Sequence, residues 1–141
     1  MSIRQISVFL ENKTGALGEM TNVLAETGIN LRALSIAEST DFGIVRLITD
    51  DTFRATTVLK EAGFITTITP VLAYVIPDEA GGLSKLLKVF TEAGIDIEYM
   101  YSSVATGTSS EAYMIFRTKD VEAAEGALAG KGLKALTQEN L

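Results

Sequence analysis

The chain has 141 residues, 47% of them hydrophobic, and 18 acidic against 12 basic side chains leave a formal charge of −6. That is too apolar for a disordered chain, and too acidic for a partner with a phosphate backbone. No apolar run approaches the roughly 20 residues of a membrane helix, and Met1 to Gln5 is not a basic segment leading into an apolar core. No membrane span and no secretory signal are expected, and the cytoplasm is the expected compartment. The sequence holds no Cys and no His, which removes disulfides, thiolate chemistry, and the commonest general base and metal ligand near neutral pH. No cofactor or metal is expected.

In chain order, Ile6, Val8 and Leu10 alternate with Gln5, Ser7 and Phe9, the spacing of a strand with one apolar face. Glu11 to Gly15 reads as a loop. Leu17, Met20 and Leu24 recur at helical spacing, and Gly28 is a left-handed stop. Ile29 to Ala37 is rich in branched residues and predicts a second strand. Asp41 to Gly43 predicts a turn, and Ile44 to Ile48 a third strand. Asp51 is placed to cap a helix that turns Ala55, Val58, Leu59 and Ala62 inward and stops at Gly63. Phe64 to Thr69 closes the set as a fourth strand.

The order then repeats. Leu72 to Ile76 is a strand, Pro77 to Gly82 a loop, and Leu83, Leu86, Leu87 and Phe90 mark a helix ending at Gly94. Ile95 to Ser103 and Tyr113 to Arg117 form a hairpin. A helix from Asp120 through Ala124 and Leu128 follows, then a strand from Leu133 to Thr137.

The second half copies the first. The offset that lays Gly15 on Gly81 lays Asn12-Lys13-Thr14-Gly15-Ala16-Leu17 on Asp78-Glu79-Ala80-Gly81-Gly82-Leu83, and Gly28-Ile29-Asn30-Leu31 on Gly94-Ile95-Asp96-Ile97. Farther on, an offset three residues longer lays Thr49-Asp50-Asp51 on Thr118-Lys119-Asp120. The extra residues fall near Thr106 to Ser110, which reads as a longer hairpin loop. Several matches in order with one localised gap indicate duplication, with a first domain over 1–69 and a second over 70–141. Units of this size bury only about 60% of their chain surface alone. The join Thr69-Pro70-Val71 is too short for a flexible tether, so the halves are expected to form one rigid body.

The order β-α-β-β-α-β, taken twice, predicts an α+β protein of two tandem ferredoxin-like domains, each an antiparallel sheet with both helices on one face. Ile44 and Ile48 are as apolar as Val45 and Leu47. A second layer, from the sister domain or another chain, is therefore expected on the open face.

The loop ahead of each opening helix has its own chemistry. A helix starting near Gly15 or Ala16 presents unpaired amides and a partial positive charge to whatever lies before it. A carboxylate suits that place, particularly where glycine lets the backbone approach. An ammonium group needs oxygens, which Asn12 or Asp78 would supply. These two residues equally suit a turn or cap, Gly15 and Gly81 equally suit the strand-to-helix turn, and Gly28 and Gly94 read as helix stops only. Tyr99, Met100 and Tyr101 are read first as packing residues and second as pocket lining. Arg32 and Arg46 are read as exposed strand arginines, and Asp50 and Asp51 as capping residues. The second loop, with Asp78 and Glu79 where the first has Asn12 and Lys13, disfavours a carboxylate, so the first loop is the preferred one.

Three features occur together twice: a strand ending in a polar loop with glycine then leucine, a helix ending in Gly28-Ile29-Asn30-Leu31 or Gly94-Ile95-Asp96-Ile97, and a hairpin. This set resembles the ACT domain, a small-molecule-sensing module attached to enzymes of amino-acid metabolism. Because it spans almost the whole chain, the resemblance is to stand-alone proteins of two tandem ACT domains. The resemblance implies a free amino acid or similar zwitterion as ligand, held in a seam between domains. There the loop (Asn12, Thr14, Gly15, Ala16, Leu17, or Asp78, Gly81, Gly82, Leu83) faces a partner's second strand near Ser35, Ile36 and Ala37 or Tyr99, Met100, Tyr101 and Ser102. A homodimer through the open sheet faces is expected, with an enzyme of amino-acid metabolism as the candidate partner, and the lack of Cys and His argues against catalysis. The alternative is a structural subunit that docks on an enzyme without ligand. An acylphosphatase-type enzyme would want an arginine in the first loop, which Glu11 to Gly15 lacks. The RNP-type aromatic motif of RNA-binding sheets is absent as well.

Overall fold

In the computed structural model, which describes residues 2–38, 41–103 and 110–141, the chain divides into two compact units. One is Arg4–Thr69, and the other is Pro70–Leu141 with the opening residues through Ile3. In the first unit, strands β1 (Ile3–Glu11), β2 (Leu31–Glu38), β3 (Phe42–Thr49) and the start of β4 (Ile65–Pro77) lie in the order β2-β3-β1-β4. Helices α1 (Ala16–Glu26) and α2 (Thr52–Glu61) connect them. The antiparallel register sets Val8 against Val45 and Ile36 against Val45, which puts the apolar alternates of all three strands on one face. Both helices bury their stripes there, Met20 and Leu24 from α1 and Ala55 and Leu59 from α2, against Ile6, Val8, Leu10 and Leu47.

The second unit repeats the plan with β7 (Lys134–Ala135), the remainder of β4, β6 (Glu111–Thr118) and β5 (Ile97–Ser102) in the order β7-β4-β6-β5. Its helices are α3 (Gly82–Glu92) and α4 (Val121–Leu128). Leu72, Tyr74, Ile76 and Phe116 meet Leu86 and Phe90 of α3 and Val121, Ala124 and Leu128 of α4. Three rings sit at the centre. Tyr74 stands edge-on to Phe90 at 5.9 Å between centroids, and Phe90 packs on Phe116 at 4.7 Å. Each unit is thus an antiparallel sheet with its helices on one face, a ferredoxin-like plan used twice. The opposite face also carries buried residues, Ala33 and Ile48 in the first unit and Val71, Ala73 and Ile115 in the second. No helix among the described residues is long and apolar enough to cross a membrane.

Duplication extends to fine detail. Asp51 and Asp120 cap α2 and α4 alike, their carboxylates accepting from the amides of Arg54 and Ala123, each at 3.1 Å. A bulge between Leu31 and Ala33 in β2 recurs between Ile97 and Tyr99 in β5.

The structure corrects several sequence expectations. The strands expected over Phe64 to Thr69 and Leu72 to Ile76 are one strand, β4, which runs without interruption through Thr69-Pro70-Val71. Proline is tolerated because its fixed φ suits extended backbone and only its N–H is missing. The Pro70 carbonyl is taken by the Arg117 guanidinium at 2.9 Å. β3 begins at Phe42, inside the expected turn, because Phe42 and Gly43 pair with Glu11 and Leu10. In α2 the inward face carries Ala55, Leu59 and half-buried Val58 as expected, together with Thr52 and Thr56, while Ala62 is the exposed C-cap. Thr56 is accommodated because its hydroxyl donates back to the Thr52 carbonyl at 2.8 Å.

The final strand is shorter than Leu133 to Thr137. Leu136 still donates to Ala73 at 2.9 Å, but Thr137 turns the chain by bonding Asn140. Arg32 and Arg46 are half-buried rather than exposed. The hairpin loop expected near Thr106 to Ser110 lies outside the described residues except for Ser110.

Candidate functional site

The two strand-to-helix loops are built alike. In the first, the Lys13 amide donates to Glu11 (2.9 Å), Ala16 to Lys13 (3.3 Å) and Glu19 to Gly15 (2.9 Å). In the second, Glu79 donates to Pro77 (2.9 Å), Gly82 to Glu79 (3.1 Å) and Lys85 to Gly81 (3.0 Å). Asn12 donates to Asp41 across the hairpin end just as Asp78 donates to Ser110, both at 2.9 Å. Gly15 and Gly81 sit at φ 85 and φ 87, a left-handed conformation that glycine adopts without the steric cost a Cβ brings. The turn is what aims the following helix back over its sheet.

A consequence of this geometry is a set of bare amides. Neither Gly15 nor Gly81 offers a side-chain cap, in contrast to Asp51 and Asp120 on the other helices. Among the described residues, the N–H groups of Thr14, Gly15, Leu17 and Gly18, and of Ala80, Gly81, Leu83 and Ser84, meet no protein acceptor. Helix N-termini left this way suit an anion.

The sequence-selected residues fall into two groups in each unit. Asn12, Thr14 and Gly15 are exposed, Ala16 is buried, and half-buried Leu17 packs on the core. Asp78 and Gly81 are exposed, Gly82 is buried, and Leu83 again packs inward. The second-strand residues lie on β2 and β5, the outermost strands of their sheets. Ser35 is half-buried and Ile36 and Ala37 are exposed. Tyr99 and Met100 are half-buried, Tyr101 is buried and Ser102 exposed. Within a unit the two groups are kept apart by an intervening strand. Ala37 pairs with Ile44, which pairs with Phe9, so β2 stands two strand spacings, roughly 10 Å, from the strand that carries the loop. The same holds in the second unit, where Tyr101 pairs with Ile115 and Ile115 with Ala73.

Sequence reading missed a cavity of about 320 Å³ beside the first loop. Its polar lining includes Glu11, Lys13 and Glu19. Its apolar lining includes Phe9 on β1, Phe42 at the head of β3, and Phe64 and Ile65 after α2. Lys13 and Glu11 form an exposed ion pair at 3.6 Å, worth little to stability. The signal that points to this place is the register pair Glu11–Phe42, which a linear reading does not provide. Among the described residues, no group of three or more acidic side chains is placed to hold a metal ion.

The family described as an ACT domain pair matches residues 1–141. No curated protein matches the chain in sequence. Among solved structures, protein BT0572 from Bacteroides thetaiotaomicron is 38% identical, covering 99% of this chain and 95% of its own, with a TM-score of 0.91. The ligand-free regulatory subunit of aspartate kinase from Thermus thermophilus is 18% identical over 89% of each chain, with a TM-score of 0.64. Aspartokinase III of E. coli, solved in complex with lysine and aspartate, is 15% identical and covers 92% of this chain but 31% of its own, with a TM-score of 0.50. The last two likenesses are of fold.

Proposed function

The chain belongs to the ACT domain family as a pair of such domains, and from that premise we infer that it is a non-catalytic regulatory protein that binds a free amino acid or a similar zwitterion. The observation carrying this reading is the pair of loops with bare amides, matched bond for bond while the other two helices are capped. The amides receive the ligand carboxylate, and nearby oxygens receive its ammonium. Because β2 and β5 end their sheets and stand apart from the loops of their own units, the facing strand is supplied by another module. A second copy of the chain supplies it in a homodimer. Ligand held there shifts the balance between two arrangements, and a partner of amino-acid metabolism reads the difference. The aspartate kinase regulatory subunit of like fold supports that class of partner.

A thermal-shift screen against the free amino acids tests the reading. A ligand at about 100 times its Kd adds roughly 2.7 kcal/mol, which for this size raises Tm by roughly 5–10 °C. A flat response to every amino acid sinks it. A second reading, an interaction subunit without ligand, is favoured by the exposed Ile36, Phe53 and Ile68. It predicts stable association in solution that no small molecule changes.

A further inference from the structure

The two modules share a backbone but differ in the walls around their loops. In the first, Phe42 (58% exposed) and Ile65 (67%) line the cavity together with Phe9. The offset that superposes the hairpins and last helices places Glu111 on Phe42 and Lys134 on Ile65, and these two form an ion pair at 3.3 Å. Lys13 and Ala16 of the first lining are likewise replaced by Glu79 and Gly82. The first module thus offers an apolar-walled cavity that holds a lysine and two glutamates, while the second puts a salt bridge across the same position. Its 320 Å³ lies at the small end of ligand pockets, sized for a single amino acid rather than a nucleotide.

We propose that the first module alone binds, and that its ligand is an α-amino acid with an apolar side chain. The carboxylate meets the bare amides of the first loop with Lys13 beside them, the ammonium meets Glu11 or Glu19, and the side chain lies on Phe9, Phe42 and Ile65. Apolar contact with these exposed side chains supplies the selectivity, since each methylene in such a pocket discriminates about 10- to 200-fold. The polar counterpart at Glu111 and Lys134 rejects the same side chain. This inference rests on the reading of the protein as an amino-acid sensor and narrows it to one site and one ligand class.

The test transplants the second module's ion pair into the first. Calorimetry and thermal shift are run with leucine, isoleucine and phenylalanine, and with aspartate, glutamate and lysine as polar controls. The proteins are the wild type, the Phe42→Glu/Ile65→Lys variant and the milder single variant Ile65→Lys. Far-UV circular dichroism checks their folding, and both altered side chains are exposed. The expected result is binding of an apolar amino acid by wild type at one site per chain, weakened about tenfold or more in the double variant. Wild type binding no amino acid overturns the sensor reading together with the inference. Binding that survives in the double variant, a preference for the polar controls, or two sites per chain overturns the inference and leaves the sensor reading standing. Unchanged ligand binding with a changed oligomeric state also overturns it, assigning the patch to a second copy of the chain.

Discussion

Gly82 opens α3 with ordinary helical backbone, yet it admits no side chain. A Cβ built there would run into the carbonyl oxygen of Pro77, a backbone atom that also accepts the Glu79 amide at 2.9 Å. The obstacle cannot swing away as a flexible side chain does. Gly82→Ala therefore forces a backbone shift of the kind that costs about 1–3 kcal/mol. The better helix propensity of alanine returns at most about 1 kcal/mol, and less in the first turn. The net loss is about 1–2 kcal/mol, a fall of roughly 5 °C in Tm for a chain of this length. Gly18→Ala is the matched control. It lies in α1, is exposed, and has nothing within 4 Å of its built Cβ, so it should gain up to about 1 kcal/mol. Urea unfolding of both variants beside wild type measures the two signs. A neutral or stabilising Gly82→Ala would refute the close approach on which the second loop's shape depends.

The capping aspartates predict twin effects. Asp51→Ala and Asp120→Ala should each cost about 1 kcal/mol in denaturant unfolding, because each accepts one amide at 3.1 Å. A difference of twofold or more between them would contradict the equivalence of the two helix starts. Tyr74 predicts an alkaline effect. Burial, and secondarily the Glu125 carboxylate, raise its pKa above the usual value of 10.0. A raised folded-state pKa means this stability is fully present below about pH 10 and is lost as pH climbs through the higher folded value. Tyr74→Phe should flatten that alkaline loss, measured as unfolding free energy against pH, and an unchanged slope would reject the assignment.

Much of the fold is legible in the sequence because local chemistry and tertiary need agree at the same residues. Gly15, Gly28, Gly81 and Gly94 adopt positive φ where the reading puts turns or stops, and Asp51 caps the helix it was expected to cap. The continuity of β4 is not legible, since Pro70 reads as punctuation until the strand around it is known to need only its carbonyl. Nor are the buried Thr52 and Thr56, whose hydroxyl and small size let polar side chains stand where Ala62 looked better on hydrophobicity alone. The candidate loops stand out as repeated motifs. The cavity beside the first does not, because Phe9, Phe42 and Ile65 come from three separated segments, and only strand register assembles them.

The ring cluster of the second core has an optical consequence. All four tyrosines, at 74, 99, 101 and 113, belong to that half, and the protein has no tryptophan. Intrinsic fluorescence is therefore a private reporter of one module, while the amide signal averages both. Superimposed melts from the two would mean the halves lose their structure as a single cooperative block. A split would read out, without any label, which copy gives way first.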